Sequence, residues 1–311
     1  MFEEEEGWDY QLELTQKVDD SATGRLLDGA IDLHVHFEPE SWLGRRFDAL
    51  ETALHAREAG MAGLVLKNRT YSCEPVAMLV RRIVPEFDIY GSIVLDGEVG
   101  GLNYHAVAAA AAIGTRVIWM PVFFSANSIR VVERNFNLNL GHEGISIIDE
   151  SGALVPAMEG ILDVIKDHDM LVCTGHISPK ETHVLVDKCL QKGINKIVVT
   201  HPMSTLVYEE TLTSSEMVGL AQAGAMIEYD AQLISPTADN LSPRDLADHI
   251  RATGAANSVL TTDLGGTPHP TVAEGLRMLI STMLKNGISE QDVETMVKRN
   301  PRRLLGLPDL S

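Results

Sequence analysis

Short apolar runs, six of eight stopping on a Lys, His or Asp and most followed by a helical stretch, recur along this chain from residue 30 onward. They cover residues 31–36, 63–67, 89–96, 116–121, 171–176, 196–201, 225–229 and 258–263. Runs this short cannot be helices. Their spacing, close to a βαβ unit of roughly 30 residues, implies parallel strands buried on both faces and joined by helices. Eight such units predict an α/β fold of the (β/α)8 TIM-barrel type. An open doubly wound sheet is the competing topology. Its glycine signature is missing: the turn Gly97-Glu98-Val99-Gly100-Gly101 neither follows the first strand nor fits GxGxxG.

Local punctuation agrees with this alternation. Gly60 stops a helix over 48–57, Pro75 opens one over 74–84, and an Ala-rich helix spans 104–112. Ser178-Pro179-Lys180-Glu181 and Ser242-Pro243-Arg244-Asp245 each pair a capping serine with a first-turn proline. The stretch 122–154 exceeds an ordinary loop and contains a strand-like 145–148, so a hairpin or lid over a pocket is expected. Residues 1–28 read as an N-terminal extension and 29–311 as the barrel.

Composition narrows the partners. A net charge of −19 opposes binding to nucleic acid or to an anionic membrane surface. No apolar run reaches the roughly 18 residues of a membrane span, and the acidic start lacks the regions of a signal peptide. Cys73, Cys173 and Cys189 are odd in number with no CxxC spacing, which fits a reducing cytoplasm. A small-molecule substrate and a homo-oligomer are expected.

In a barrel the C-terminal strand ends meet on one face, where catalytic residues sit. Here they carry His34, His36, Lys67, His176, His201 and Asp263. Any one of these alone reads as a hydrogen-bonded structural residue. Their common topological position points to a metal centre, because imidazole and carboxylate suit Zn²⁺ and other first-row divalent ions. A two-residue period puts Asp32, His34 and His36 on one face, with Asp32 placed to accept an imidazole N–H. Asn68, Arg69 and Tyr71 follow Lys67 closely, Glu228 ends the seventh strand, and His269 follows Asp263; these are candidates for substrate contact, Glu228 also for supporting a ligand from behind. Arg69 could clamp a carboxylate.

The HxH pair, two later strand-end histidines and a terminal aspartate resemble the signature of the amidohydrolase superfamily, over about residues 29–307. The tail 300–307 resembles that family's NPAxxLGL stretch, with Arg302 in place of alanine. The likeness is to a branch of unassigned activity. It implies one or two divalent ions, zinc first, with Mn, Fe, Co or Ni as alternatives. His34 and His36 with Asp263 would hold one metal, and His176 with His201 the other. It implies hydrolysis of an amide, cyclic amide or ester/lactone bond by metal-activated hydroxide, with Asp263 as general base and then acid. A mononuclear deaminase and a phosphotriesterase-like hydrolase are the enzymatic alternatives. The deaminase is disfavoured because 176–179 lacks an HxxE arrangement. An inactive barrel kept for assembly is the alternative outside enzymes, disfavoured by the near-complete ligand set. One departure stands out. The fourth strand, Trp119-Met120-Pro121, offers no bridging ligand, so Lys67 is expected to be carboxylated and to bridge. A substrate-binding or structural lysine remains the alternative.

Overall fold

The computed structural model describes residues 21–310. The first 20 residues of the expected extension lie outside them. Within the described part, the helix Ala22–Leu27 already packs on the barrel through buried Leu26 and Leu27. Packing therefore reaches back across the 28/29 boundary drawn from the sequence.

Eight parallel strands form the barrel: β1 (Ile31–His36), β2 (Gly63–Lys67), β3 (Asp88–Val94), β4 (Val117–Trp119), β5 (Leu171–Cys173), β6 (Ile197–Val199), β7 (Met226–Asp230) and β8 (Ser258–Thr261). Neighbours pair in sequence order, as right-handed β–helix–β connections demand. The ring closes where β1 meets the residues just past β8. There Asp263 N–H donates to His34 O at 3.0 Å, and His36 N–H donates to Leu264 O at 2.8 Å. Ile31, Leu33, Val65, Trp119, Val198 and Val259 fill the barrel, while Val35, Leu64, Leu66 and Ile118 pack beneath the helices.

Two expectations are corrected by the backbone. The β1–β2 register shifts between Asp32 and Val35, so strict alternation fails there and Asp32 does not share a face with His34 and His36. β5, β6 and β8 also stop earlier than their apolar runs. His176, His201 and Asp263 lie in the turns that follow, and His201 and Asp263 adopt positive φ of 20° and 51°. Such φ values are uncommon for non-glycine residues and concentrate at functional turns.

The helices start as their caps direct. Asp48 with Glu51 and Ser178 with Glu181 form reciprocal capping boxes. Ser242 precedes its helix without a side-chain cap bond, against expectation. The 122–154 stretch holds a helix, Ile129–Phe136, spanned by a bridge from Ser125 to Ile145, and then a small hairpin whose antiparallel bridge joins Ile148 and Leu154. Glu228 lies within β7, and Asp230 ends it. Among the described residues no helix is long and apolar enough to cross a membrane.

Candidate metal centre

The register that pairs His36 with Lys67 also sets the site, because both strands end at one level. His34 Nε2 and His36 Nε2 approach the same Asp263 oxygen, Oδ1, at 2.9 and 3.0 Å. His201 Nε2 faces the other, Oδ2, at 3.9 Å. Ligand atoms of His34, His201 and Asp263 all lie within 4.8 Å of one another. The ring centres of His176 and His201 are 5.1 Å apart, and those of His34 and His201 are 5.7 Å apart. Lys67 Nζ reaches His34 Nε2 at 2.8 Å and stands 4.3 Å from the Trp119 ring centre. Trp119 thus occupies the place where the fourth strand lacks a ligand.

Buried partners orient these groups. Glu228 is fully enclosed; its Oε1 meets His34 Nδ1 at 3.0 Å and accepts from Thr261 Oγ1 at 2.9 Å, while Oε2 accepts His201 N–H at 3.2 Å. Ser128 Oγ meets His176 Nδ1 at 3.0 Å. The role expected of Asp32, accepting an imidazole N–H, falls to Glu228. Asp32 instead accepts the backbone N–H of His34 and of Thr262, and the Thr262 hydroxyl at 2.6 Å. With the strand bulged, its carboxylate fixes the β1–β8 seam rather than an imidazole.

Electrostatics favour a cation. Burial raises the Asp263 carboxyl, but His34 and His36 outweigh it and hold it well below the usual range. Burial likewise raises Glu228, and His34 brings the net shift down. Burial, with Arg45 beside His36 and His201 beside His176, holds both of those imidazoles well below their ordinary value; burial lowers His201 as well. His34 moves the other way: burial lowers it, but Asp263 and Glu228 raise it overall. Burial lowers the Lys67 amine. Neutral imidazoles and ionised carboxylates are the protonation states that metal ligation requires. The Nδ1 atoms of His36 and His201 are buried without a hydrogen-bond partner among the described residues. The donor set therefore fits a divalent cation.

A cavity of about 370 Å³ opens above these groups, lined among others by His36, Lys67, His176 and Asp263. Asp263 is the most exposed of the cluster, at 16%. Arg69 and His269 also line the cavity. Asn68 and Tyr71 do not: Asn68 Nδ2 and Tyr71 Oη both donate to Pro39 O, which ties the β1 and β2 loops together. Sequence reading missed Glu40, Arg45, Asp230 and Gln232. Arg45, Asp230 and Gln232 line the cavity, and Gln232 Nε2 donates to Asp263 O. The adjacent Arg45-Arg46 just past the HxH strand was the available signal.

Comparison with known proteins gives three findings. A model described as a family of unknown function (DUF6282) matches residues 29–228. No curated protein matches the chain. Solved structures share the fold: an amidohydrolase from Pseudomonas aeruginosa (TM-score 0.61, 11% identity, covering 91% of this chain and 98% of that one); the probable dipeptidase PvdM from Pseudomonas aeruginosa (TM-score 0.62, 13% identity, covering 94% and 98%); and 2,6-dihydroxybenzoate decarboxylase from Rhizobium (TM-score 0.53, 13% identity, covering 90% and 99%). At these identities the likeness is one of fold.

Proposed function

Since the chain belongs to the DUF6282 family, of unknown function, we propose its activity from the site itself: a metal-dependent hydrolase that cleaves an amide, cyclic amide or ester/lactone bond of a small molecule. The observation that carries this reading is the convergence of His34 Nε2 and His36 Nε2 on one oxygen of a single buried carboxylate. Two imidazole nitrogens with lone pairs directed at a carboxylate oxygen repel it unless a proton or a cation lies between. His34, His36, His176, His201 and Asp263 would hold one or two divalent ions, zinc first given these donors. A bound divalent ion supplies Lewis acidity, making water a nucleophile near neutral pH and polarising the scissile carbonyl.

The chain's own residues do the rest. Glu228 fixes the His34 ring from the Nδ1 side. Asp263, kept ionised, takes the proton of the attacking water and returns it to the departing nitrogen or oxygen. Its Oδ2 suits that task, because Oδ1 is engaged by both β1 imidazoles. Lys67, buried with a lowered amine pKa, is carboxylated in this reading and supplies the anionic ligand that β4 lacks.

The test uses protein purified without chelator. Metal analysis should find one to two equivalents, and Asp263→Ala should lower metal content and turnover together. Because a decarboxylase shares the fold, products should be examined after reaction in ¹⁸O-water. Incorporation of one labelled oxygen marks hydrolysis. A fully active, metal-free preparation, or products that gain no solvent oxygen, would sink the reading.

A further inference from the structure

A second charged cluster borders the same cavity on the loops after β1 and β2. Glu40 has a side chain that is 0% exposed, enclosed between Arg45 and Arg69. Arg69 Nε donates to Glu40 Oε1 at 2.9 Å, and its Nη2 reaches the same oxygen. Arg45 engages Oε2 through Nε and Nη2. Both guanidinium side chains are buried, at 5% and 4%, and both residues line the cavity. Arg69 lies over the Phe123 ring at 3.7 Å, which fixes its position. Among the described residues Arg45 Nη2, although in ion-pair contact with Glu40, is buried without a hydrogen-bond partner, and no hydrogen bond reaches Nη1 of either guanidinium.

One carboxylate between two guanidiniums leaves a net positive charge on this buried trio, with Asp263 the next acidic group to act on Arg45. Such a charge is costly unless an anion meets it. Burial, and then Arg69 beside it, push the Arg45 guanidinium down to about 10, with Glu40 and Asp263 opposing. The reacting centre is near. The Phe123 ring centre that Arg69 covers is 6.2 Å from that of His176, and Arg45 acts directly on His36. One small molecule can therefore touch both places.

We propose that Arg45 and Arg69, braced by Glu40, form an anion subsite, and that the substrate is a small carboxylic acid whose carboxylate docks there beside the bond to be cleaved. This rests on the hydrolase reading above. With the Nε sides held on Glu40, the outer Nη groups of the two guanidiniums are left as donors for the two oxygens of a carboxylate. The fixed charge also offsets the repulsion that a protein of net charge −19 exerts on an approaching anion. Arg45 and Arg69 set specificity here, while proton transfer stays with Asp263.

The test is calorimetric titration of the metal-replete, full-length protein with benzoate and with benzamide, a near-isosteric neutral partner. Benzoate should bind at least about tenfold tighter. Arg45→Gln and Arg69→Gln should each erase that preference while metal content stays at the wild-type value. Arg69→Lys, which keeps the charge and loses the fork, should retain part of it, and it carries the test if a glutamine variant does not fold. Wild-type protein that binds both probes equally would overturn the proposal. So would glutamine variants that keep the benzoate preference. If stripping the metal then abolishes that preference, the carboxylate sits on the metal centre: the hydrolase reading survives and the anion subsite does not.

Discussion

His34 is gripped at both ring nitrogens, by Glu228 at Nδ1 and by Asp263 and Lys67 at Nε2. Glu228 is fully enclosed and meets Nδ1, so a proton held there serves it and leaves Nε2 for a metal. Lys67 Nζ stands 2.8 Å from that nitrogen, so a carboxylated Lys67 would reach the same ligand set. Carboxylation of Lys67 replaces one N–H bond with an N–C bond to CO₂, releases a proton and leaves an anion. Lys67→Ala should therefore lose at least one equivalent of metal and most activity, with acetate or propionate restoring some of both. Lys67→Glu should keep more metal than Lys67→Ala. Unchanged metal content in Lys67→Ala would refute the role. Most of this centre was legible in the sequence, because strand-end position and donor chemistry are properties of single residues in a repeat. The hold of Glu228 on His34 was not, because it depends on a register shift in β1 that nothing in Asp32-Leu33-His34-Val35 announces.

Between β3 and β5 the elements matter more than single side chains. Asp96, fully buried just past β3, accepts the N–H groups of Val122, Phe123 and Phe124 at 2.7, 3.1 and 3.2 Å. It thereby pins the loop that carries Phe123 to the cavity. The helix Ile129–Phe136 that follows was readable in hindsight, since Ile129, Val132 and Phe136 recur at helical spacing and pack together with Phe123. The polar residues among them, Arg130, Glu133, Arg134 and Asn135, give the stretch the composition of a loop. Burial pushes the Asp96 carboxyl up from 3.8 to about 6, with the backbone N–H bonds opposing. Between those two values the folded chain holds a proton that the unfolded chain has released. Stability from Asp96 therefore falls as pH rises through that window and is level above it. Asp96→Asn should remove this slope. Urea unfolding at pH 4, 5, 6 and 7 should show the wild type losing up to about 3 kcal/mol relative to the variant as pH rises. Parallel pH profiles would mean that Asp96 ionises normally.

At the scale of the whole barrel, the seam between β8 and β1 is the thin place. The other neighbours share ladders of two to four paired residues, whereas the seam has one isolated bridge, Val35 with Leu264, and the contacts of Asp32. The candidate ligands span that seam: His34 and His36 stand on β1, Asp263 follows β8, and His176 and His201 stand across the mouth. A cation held by them joins both edges of the ring. Without one, the Asp263 and Glu228 carboxylates have imidazoles, the Lys67 amine and the Arg45 guanidinium to balance them, an arrangement that costs stability. Ligand binding to the folded state alone adds about 2.7 kcal/mol at a free concentration of 100 Kd and about 4.1 kcal/mol at 1,000 Kd. Chelator-stripped protein should therefore unfold at a denaturant concentration lower by the equivalent of about 3–4 kcal/mol, and added Zn²⁺ should reverse the loss. Hydrogen exchange should locate the loosening at 31–36 and 258–264, while β3 and β4 stay protected. Stripped and replete proteins that unfold together, with equal protection at the seam, would show that no cation closes this barrel.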